Sequence, residues 1–352
     1  IVDGDKETLL TIDKALDRFQ KRQSSKEALN KAKQEFMGWT HKGWDGLGAF
    51  DANERKLAND LLGFKGHIVF PTSAFDQVLA AKEDAVILGG VKALNRGMAC
   101  FCEVDPRMYG AAYIPFNFGE EVSLKYLRDA IKNNFSVILI DTIAPEGCKA
   151  FTHPDYDIVW QEIQDSDITI TLHVGADSGW DPVPLSFYNN ASSVPTHKEG
   201  DAPRDALAYM GISYNAELFL ASMIFDGVLE RFPNLRIGVV ELGASWIISW
   251  MKHLDQSFRA FRRIQDLSHV KKLPSEYVLK HIKITPFPGE DIGWLLTSGA
   301  DDLLMFASDY PHHEGTDDPI TRFEKTMLEI DEDTKKKFYC NNFKELLGSH
   351  IK

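Results

Sequence analysis

Side chains able to ligate a metal stand where short apolar runs end. His173 closes Ile168–Leu172, Glu241 follows Ile237-Gly238-Val239-Val240, and Asp309 and His312 follow Leu303–Ala307 within Ser308-Asp309-Tyr310-Pro311-His312-His313-Glu314. The first run, Ile1–Asp3, leads into Asp5 and Glu7, and Val137–Ile140 leads into Asp141. Imidazoles and carboxylates gathered from separated parts of a chain are the donor set of a divalent cation. Each has a plainer reading as well. His173 suits a core histidine bonded to a backbone carbonyl, Glu241 a salt bridge, and Asp309 the cap of the Asp309-Tyr310-Pro311 turn. A carboxylate at the end of a buried strand is costly without a partner, so Glu241 in particular calls for one. Finding all three at strand ends favours the shared site.

The elements that must position these groups alternate. Short β-rich runs lie at Ile1–Asp3, His67–Phe70, Ala112–Pro115, Val137–Asp141, Ile168–His173, Ile237–Glu241, His281–Thr285 and Leu303–Ala307. Helical apolar spacing lies between them, as in Leu124-Leu127-Ile131, Leu218-Ala221-Ile224-Phe225-Val228-Leu229 and Trp246-Trp250-Leu254-Phe258. Eight strand-then-helix units predict an α/β protein of the (β/α)8 TIM barrel type, whose functional groups sit at the C-terminal ends of the strands. A helical insertion of about 6–64 follows the first strand. A long loop or lid of about 175–213 follows the fifth, and the whole of 1–352 reads as a single domain. Asp-Lys-Glu after the first strand, in place of G-x-G-x-x-G, argues against a dinucleotide site.

Composition narrows the partners. The 352 residues are 44% hydrophobic and 26% charged, which suits a globular core. Lys plus Arg is 39 against 52 for Asp plus Glu, giving a net charge of −13 and arguing against nucleic acid or an anionic membrane as partner. No run of consecutive apolar residues approaches a membrane span. Cys100, Cys102, Cys148 and Cys340 form no C-x-x-C pair, as expected of reduced, buried thiols in a cytoplasmic protein.

His173-x-Gly175, Glu241-x-Gly243-x-x-Trp246 and Ser308-Asp309-Tyr310-Pro311-His312, with Thr285-Pro286-Phe287-Pro288 before the last strand, resemble the amidohydrolase superfamily. The likeness is to the amidohydrolase-related branch that includes the aminocarboxymuconate-semialdehyde and resorcylate decarboxylases. It runs from about residue 65 to 347 and is strongest after 168. It implies a (β/α)8 barrel holding one or two divalent ions (Fe, Mn or Zn), with His173 and Asp309 as ligands, Asp309 often the general base, and His312 beside them. The sequence departs from the family at the first strand, where His-x-His is replaced by Asp5-Lys6-Glu7, and at the sixth, where Glu241 stands in the region of a His. Oxygen in place of nitrogen shifts the preference from zinc toward manganese or iron.

The first functional expectation is hydrolysis of a small organic substrate through a metal-activated water, with Asp309 and His312 as catalytic residues. The metal set is then Asp5, Glu7, His173, Glu241, Asp309 and His312. The alternatives are a dinuclear iron or manganese–iron monooxygenase on the same fold, a non-oxidative decarboxylase, and a metal-poor subunit paired with an active homologue. Trp180, Phe116, Phe287, Tyr310 and His313 are the expected substrate-binding residues. A homo-oligomer, most simply a dimer, is expected from family habit, with a hetero-oligomer as the alternative.

Overall fold

Parallel strands joined by helical crossovers organise the chain. The computed structural model describes residues 6–36, 43–71, 73–175, 183–188, 205–312 and 318–351. Six strands pair in sequence order and in parallel: β1 (His67–Val69), β2 (Met108–Ile114), β3 (Val137–Ile140), β4 (Thr169–His173), β5 (Arg236–Val240) and β6 (Ile282–Ile284). Strand order that never reverses is the order of a barrel; a doubly wound sheet has a switch point.

Six of the eight predicted strands are thus present. The first, Ile1–Asp3, lies outside the described residues. The eighth, Leu303–Ala307, is corrected to a single parallel bridge between Ile284 and Leu304. The Ile284 amide donates to Leu303 O and the Met305 amide to Ile284 O; the next amide, Phe306, already donates to Phe338 O. Strand β2 begins four residues before the predicted start because all seven of its residues are buried, Gly110 included.

The chain divides into two compact units, residues 1–110 with 308–322, and residues 111–307 with 323–351. In the first, the predicted helical insertion is present as helices Lys6–Ser24, Lys26–Phe36 and Ala52–Leu62. The third starts where the Asp51 carboxylate accepts from the Glu54 amide and stops at Gly63 in the left-handed region (φ 72°). Leu47, Ala58 and Leu62 form a small core there, with Leu57, Phe64 and Tyr310 packed against it. Helix Asp84–Glu103 is long and apolar enough to cross a membrane by composition (mean hydropathy 1.2), but carries Lys92 and Arg96 near its middle, where charge is costly in lipid.

In the second unit the strands are the core. Val137, Ile138, Leu139 and Ile140 are all at most 2% exposed, each worth roughly 2 kcal/mol of burial. Helix Glu120–Lys132 lays Ser123, Tyr126, Leu127 and Ala130 inward, an i, i+3, i+4, i+7 face. The predicted Leu218 stripe is rotated. Helix Tyr214–Phe225 buries Ala216, Phe219, Leu220, Met223 and Ile224, while Leu218 is 70% exposed. Near the N-terminal ends of β4 and β5, Thr169 Oγ1 donates to Leu346 O (2.7 Å), and a Cβ on Gly238 would lie 3.0 Å from Leu346 Cδ2. Leu346 therefore packs into that end of the strand face, and the polar strand ends lie opposite. The predicted lid of 175–213 falls largely outside the described residues; within it Leu185–Tyr188 is a 3-10 turn and Ala206–Met210 a short helix.

Candidate functional site

The parallel register sets which strand-end side chains share a face. Val137 pairs with Thr169, Ile138 with Ile170 and Leu139 with Thr171. Two residues further on, Asp141 falls level with His173, on the face of Leu139 and Thr171. Asp141 is fully buried, and Tyr113 Oη on β2 donates to its carboxylate, 2.8 and 3.0 Å from the two oxygens.

On the other side of β4, His173 pairs with Val240, so Glu241 begins one residue beyond the ladder. Its backbone is in the left-handed region (φ 58°), a conformation that costs a non-glycine residue roughly 1 kcal/mol or more and that clusters at functional sites. The Glu241 amide donates to Thr285 Oγ1 (3.2 Å) at the end of β6. The turn is held from a distance by Glu290, whose carboxylate accepts from the amides of Phe287 (2.6 Å), Ala244 (3.0 Å) and Ser245 (2.6 Å). Gly243 (φ 65°) is needed there, since a Cβ would come within 3.0 Å of the Phe287 ring. Turned this way, Glu241 Oε2 lies 3.0 Å from His173 Nε2, with the two side chains only 12% and 8% exposed.

The other nitrogen of His173 decides what this pair can hold. Nδ1 lies 2.8 Å from Val174 O. A carbonyl oxygen only accepts, so Nδ1 carries the hydrogen. Nε2 then meets the carboxylate either as a protonated imidazolium or as a lone pair facing lone pairs. A cation between the two groups makes the second arrangement favourable. A histidine whose Nδ1–H is fixed on a backbone carbonyl, which presents Nε2 as the ligand atom, is the usual construction of an imidazole ligand. The donor set therefore fits a cation.

In the first unit, Asp309 is also in the left-handed region (φ 53°). The His312 amide donates to Asp309 O (2.8 Å), and His312 Nδ1 is 3.4 Å from Asp309 Oδ1, so the turn brings these two side chains together. Among the described residues, His173 with Glu241 and Asp309 with His312 are thus two acid–imidazole pairs that end predicted strands.

The remaining predicted residues divide. Asp5, Trp180 and His313 lie outside the described residues, and Glu7 lies in the first turn of helix Lys6–Ser24 with its side chain outside them. Phe116 is fully buried among Phe151, Tyr156 and Trp160, ring centroids 5.2–5.7 Å away. Phe287 is half-buried, tilted against Tyr209 at 5.5 Å. Tyr310 is half-buried under the Arg55 guanidinium at 5.3 Å. Nothing in the sequence around Glu290 or Arg55 marks them, because Ala244, Ser245 and Tyr310, which they bond, lie far away in the chain. Asp141 carried a signal, its place at a strand end, and was not counted among the ligands.

A match to the amidohydrolase family extends over residues 76–348. The chain belongs to the amidohydrolase family. Among solved structures, this amidohydrolase is similar to one from Mycobacterium avium subsp. paratuberculosis K-10, with 19% identity, 86% of this chain and 76% of that chain covered, and a TM-score of 0.71. It is also similar to 2,6-dihydroxybenzoate decarboxylase from Rhizobium (19% identity, 83% and 87% covered, TM-score 0.63). A third is dihydroxybenzoic acid decarboxylase from Polaromonas sp. JS666, solved with bound manganese and the inhibitor 2-nitroresorcinol (20% identity, 84% and 85% covered, TM-score 0.62). At such identities the likeness is one of fold. No curated protein matches.

Proposed function

We propose that this amidohydrolase is a manganese-dependent, non-oxidative decarboxylase of a small hydroxylated aromatic acid, built on a closed (β/α)8 barrel. The observation that carries the reading is the His173–Glu241 pair, an imidazole with its Nδ1 hydrogen fixed and its Nε2 3.0 Å from a carboxylate. The ligands are drawn from His173, Glu241, Asp309 and His312. In each pair a carboxylate stands beside the imidazole, and such oxygen donors favour manganese over zinc. What supports the substrate class is the pair of similar folds named as dihydroxybenzoate decarboxylases, one with manganese bound.

When bound, the cation supplies a Lewis acid that holds and polarises the substrate's oxygen atoms. The chain's own residues do the rest. Loss of carbon dioxide leaves the electron pair of the broken C–C bond on the ring carbon, and a proton must reach that carbon. Asp309 and His312, with 3.4 Å between Oδ1 and Nδ1, form a pair able to hold that proton and give it up. His173 and Glu241 would hold the cation. Hydrolysis, the first expectation from the sequence, uses the same groups with Asp309 taking a proton from water; the similar folds move the reading to decarboxylation.

The test is a panel of mono- and dihydroxybenzoic acids incubated with manganese-loaded protein, with released carbon dioxide measured under nitrogen. Parallel arms hold aryl esters, lactones and amides in a pH-stat. Carbon dioxide release without oxygen uptake, abolished by Asp309→Asn with the fold intact, is expected. Acid production from esters or amides with no carbon dioxide from any acid would restore hydrolysis. Activity retained in Asp309→Asn would remove that residue from the mechanism.

A further inference from the structure

Asp309 holds a left-handed backbone conformation, and something must keep it there. The segment of residues 43–55 does so through several independent contacts to the turn. The Gly43 amide donates to Pro311 O (2.5 Å), and Tyr310 Oη donates to Leu47 O (3.1 Å). Gly46 leaves no room, since a Cβ there would sit 2.6 Å from Pro311 Cβ. At the centre lies Arg55, only 6% exposed. Its Nε donates to Gly48 O (2.8 Å), its Nη1 to Tyr310 O (3.3 Å), and its guanidinium lies over the Tyr310 ring. Gly48 is itself left-handed (φ 75°), with its amide 3.4 Å from the Glu54 carboxylate that Arg22 grips at 2.9 Å through both Nε and Nη2.

Arg55 has an unusual environment for a purely structural cation. Among the described residues, no carboxylate pairs with it, and burial lowers its affinity for its proton. Its hydrogen bonds go to two backbone carbonyls that belong to the segment and to the turn. A planar guanidinium spreads its donors over a rigid fork and reaches two separated carbonyls, whereas an ammonium offers its donors from a single nitrogen. A buried cation beside the turn that carries Asp309 is a costly way to fill space, but it fixes that turn to the preceding helix.

We propose that Arg55 is a positioning residue that holds the Asp309–His312 turn in the shape required for cation binding. The inference rests on the reading of Asp309 as a ligand, and the test separates the two. Mn2+ is titrated into the metal-free full chain, and free ion is read by the solution EPR signal of hydrated Mn2+. Circular dichroism and urea unfolding are followed in parallel. Arg55→Met is expected to weaken Mn2+ binding at least tenfold. Arg55→Lys recovers no more than part of this, because one ammonium cannot reach both carbonyls. Tyr310→Phe, which removes the hydroxyl bond to Leu47 and keeps the ring, is expected to weaken binding about threefold in a folded protein, and it keeps the idea testable if Arg55→Met does not fold. Asp309→Asn is the control for the underlying reading. If Asp309→Asn binds Mn2+ like the wild type, the ligand assignment fails. If Asp309→Asn loses Mn2+ while folded Arg55→Lys and Tyr310→Phe bind it unchanged, the positioning role is wrong, even where their stability has dropped.

Discussion

Replacing Glu241 by Gln separates a cation site from a structural ion pair, because the two predict opposite signs. In the metal-free protein the Nδ1 hydrogen of His173 is committed to Val174 O at 2.8 Å, and Nε2 lies 3.0 Å from Glu241 Oε2. If the imidazole is neutral, a lone pair faces a carboxylate. Glutamine then offers an N–H to Nε2 and removes a poorly solvated charge, so unfolding stability stays level or rises, by about 1 kcal/mol for the added hydrogen bond. Mn2+ affinity moves the other way. A unit charge about 4 Å from a monovalent ion is worth about 4 kcal/mol at an effective dielectric constant of 20, before desolvation is subtracted. Charge-assisted hydrogen bonds net about 1.5–3 kcal/mol, and we take the same scale for the lost ligand charge. At 1.4 kcal/mol per decade, this gives binding about 10- to 100-fold weaker. The assay is a Mn2+ titration at fixed ionic strength beside urea unfolding of the metal-free variant. If the pair is instead an imidazolium–carboxylate bridge, breaking it costs about 3–5 kcal/mol. Destabilisation of that size with unchanged Mn2+ affinity would refute the cation-site reasoning.

Three further outcomes follow from the same structure. Glu290→Gln weakens the grip on the Phe287, Ala244 and Ser245 amides; about 1.5–3 kcal/mol of stability is expected to be lost, and Mn2+ affinity should fall with it, whereas unchanged affinity would show that the turn holds itself. The Arg107 hydrogen bonds keep Asp105 at a pKa of about 2, below its ordinary 3.8; a depressed carboxylate pKa stabilises above the ordinary value, so about 2 kcal/mol is lost as pH falls from about 4 to 2, and urea midpoints of Asp105→Asn should show a flatter acid limb. Burial lowers His281 to about 4 while its Nδ1 hydrogen is given to Leu235 O at 2.7 Å; the unfolded chain takes up the proton first, so stability present above about pH 6.5 declines toward pH 4, by roughly 3 kcal/mol in all. An unfolding free energy of wild type and His281→Gln that stays parallel through that range would contradict the assignment.

The sequence by itself determined the repeating strand–helix order, six of the eight predicted strands among the described residues, the helical insertion, and the donors at strand ends. These are local properties. An apolar run bounded by turn residues makes a strand wherever it packs, and a polar residue at its end is exposed to whatever lies beyond. The tertiary structure decided the rest. Whether Leu303–Ala307 forms a strand depended on Phe306 finding Phe338 instead of a neighbouring strand. That Asp141 falls level with His173 comes from pairing register, which a single strand's periodicity cannot supply. The left-handed turns at Glu241 and Asp309 run against the preference of their residue types and persist because Glu290 and Arg55, remote in sequence, hold the adjoining backbone. Which donors can meet is thus fixed by long-range packing, and the nearest-neighbour chemistry that the sequence displays carries no record of it.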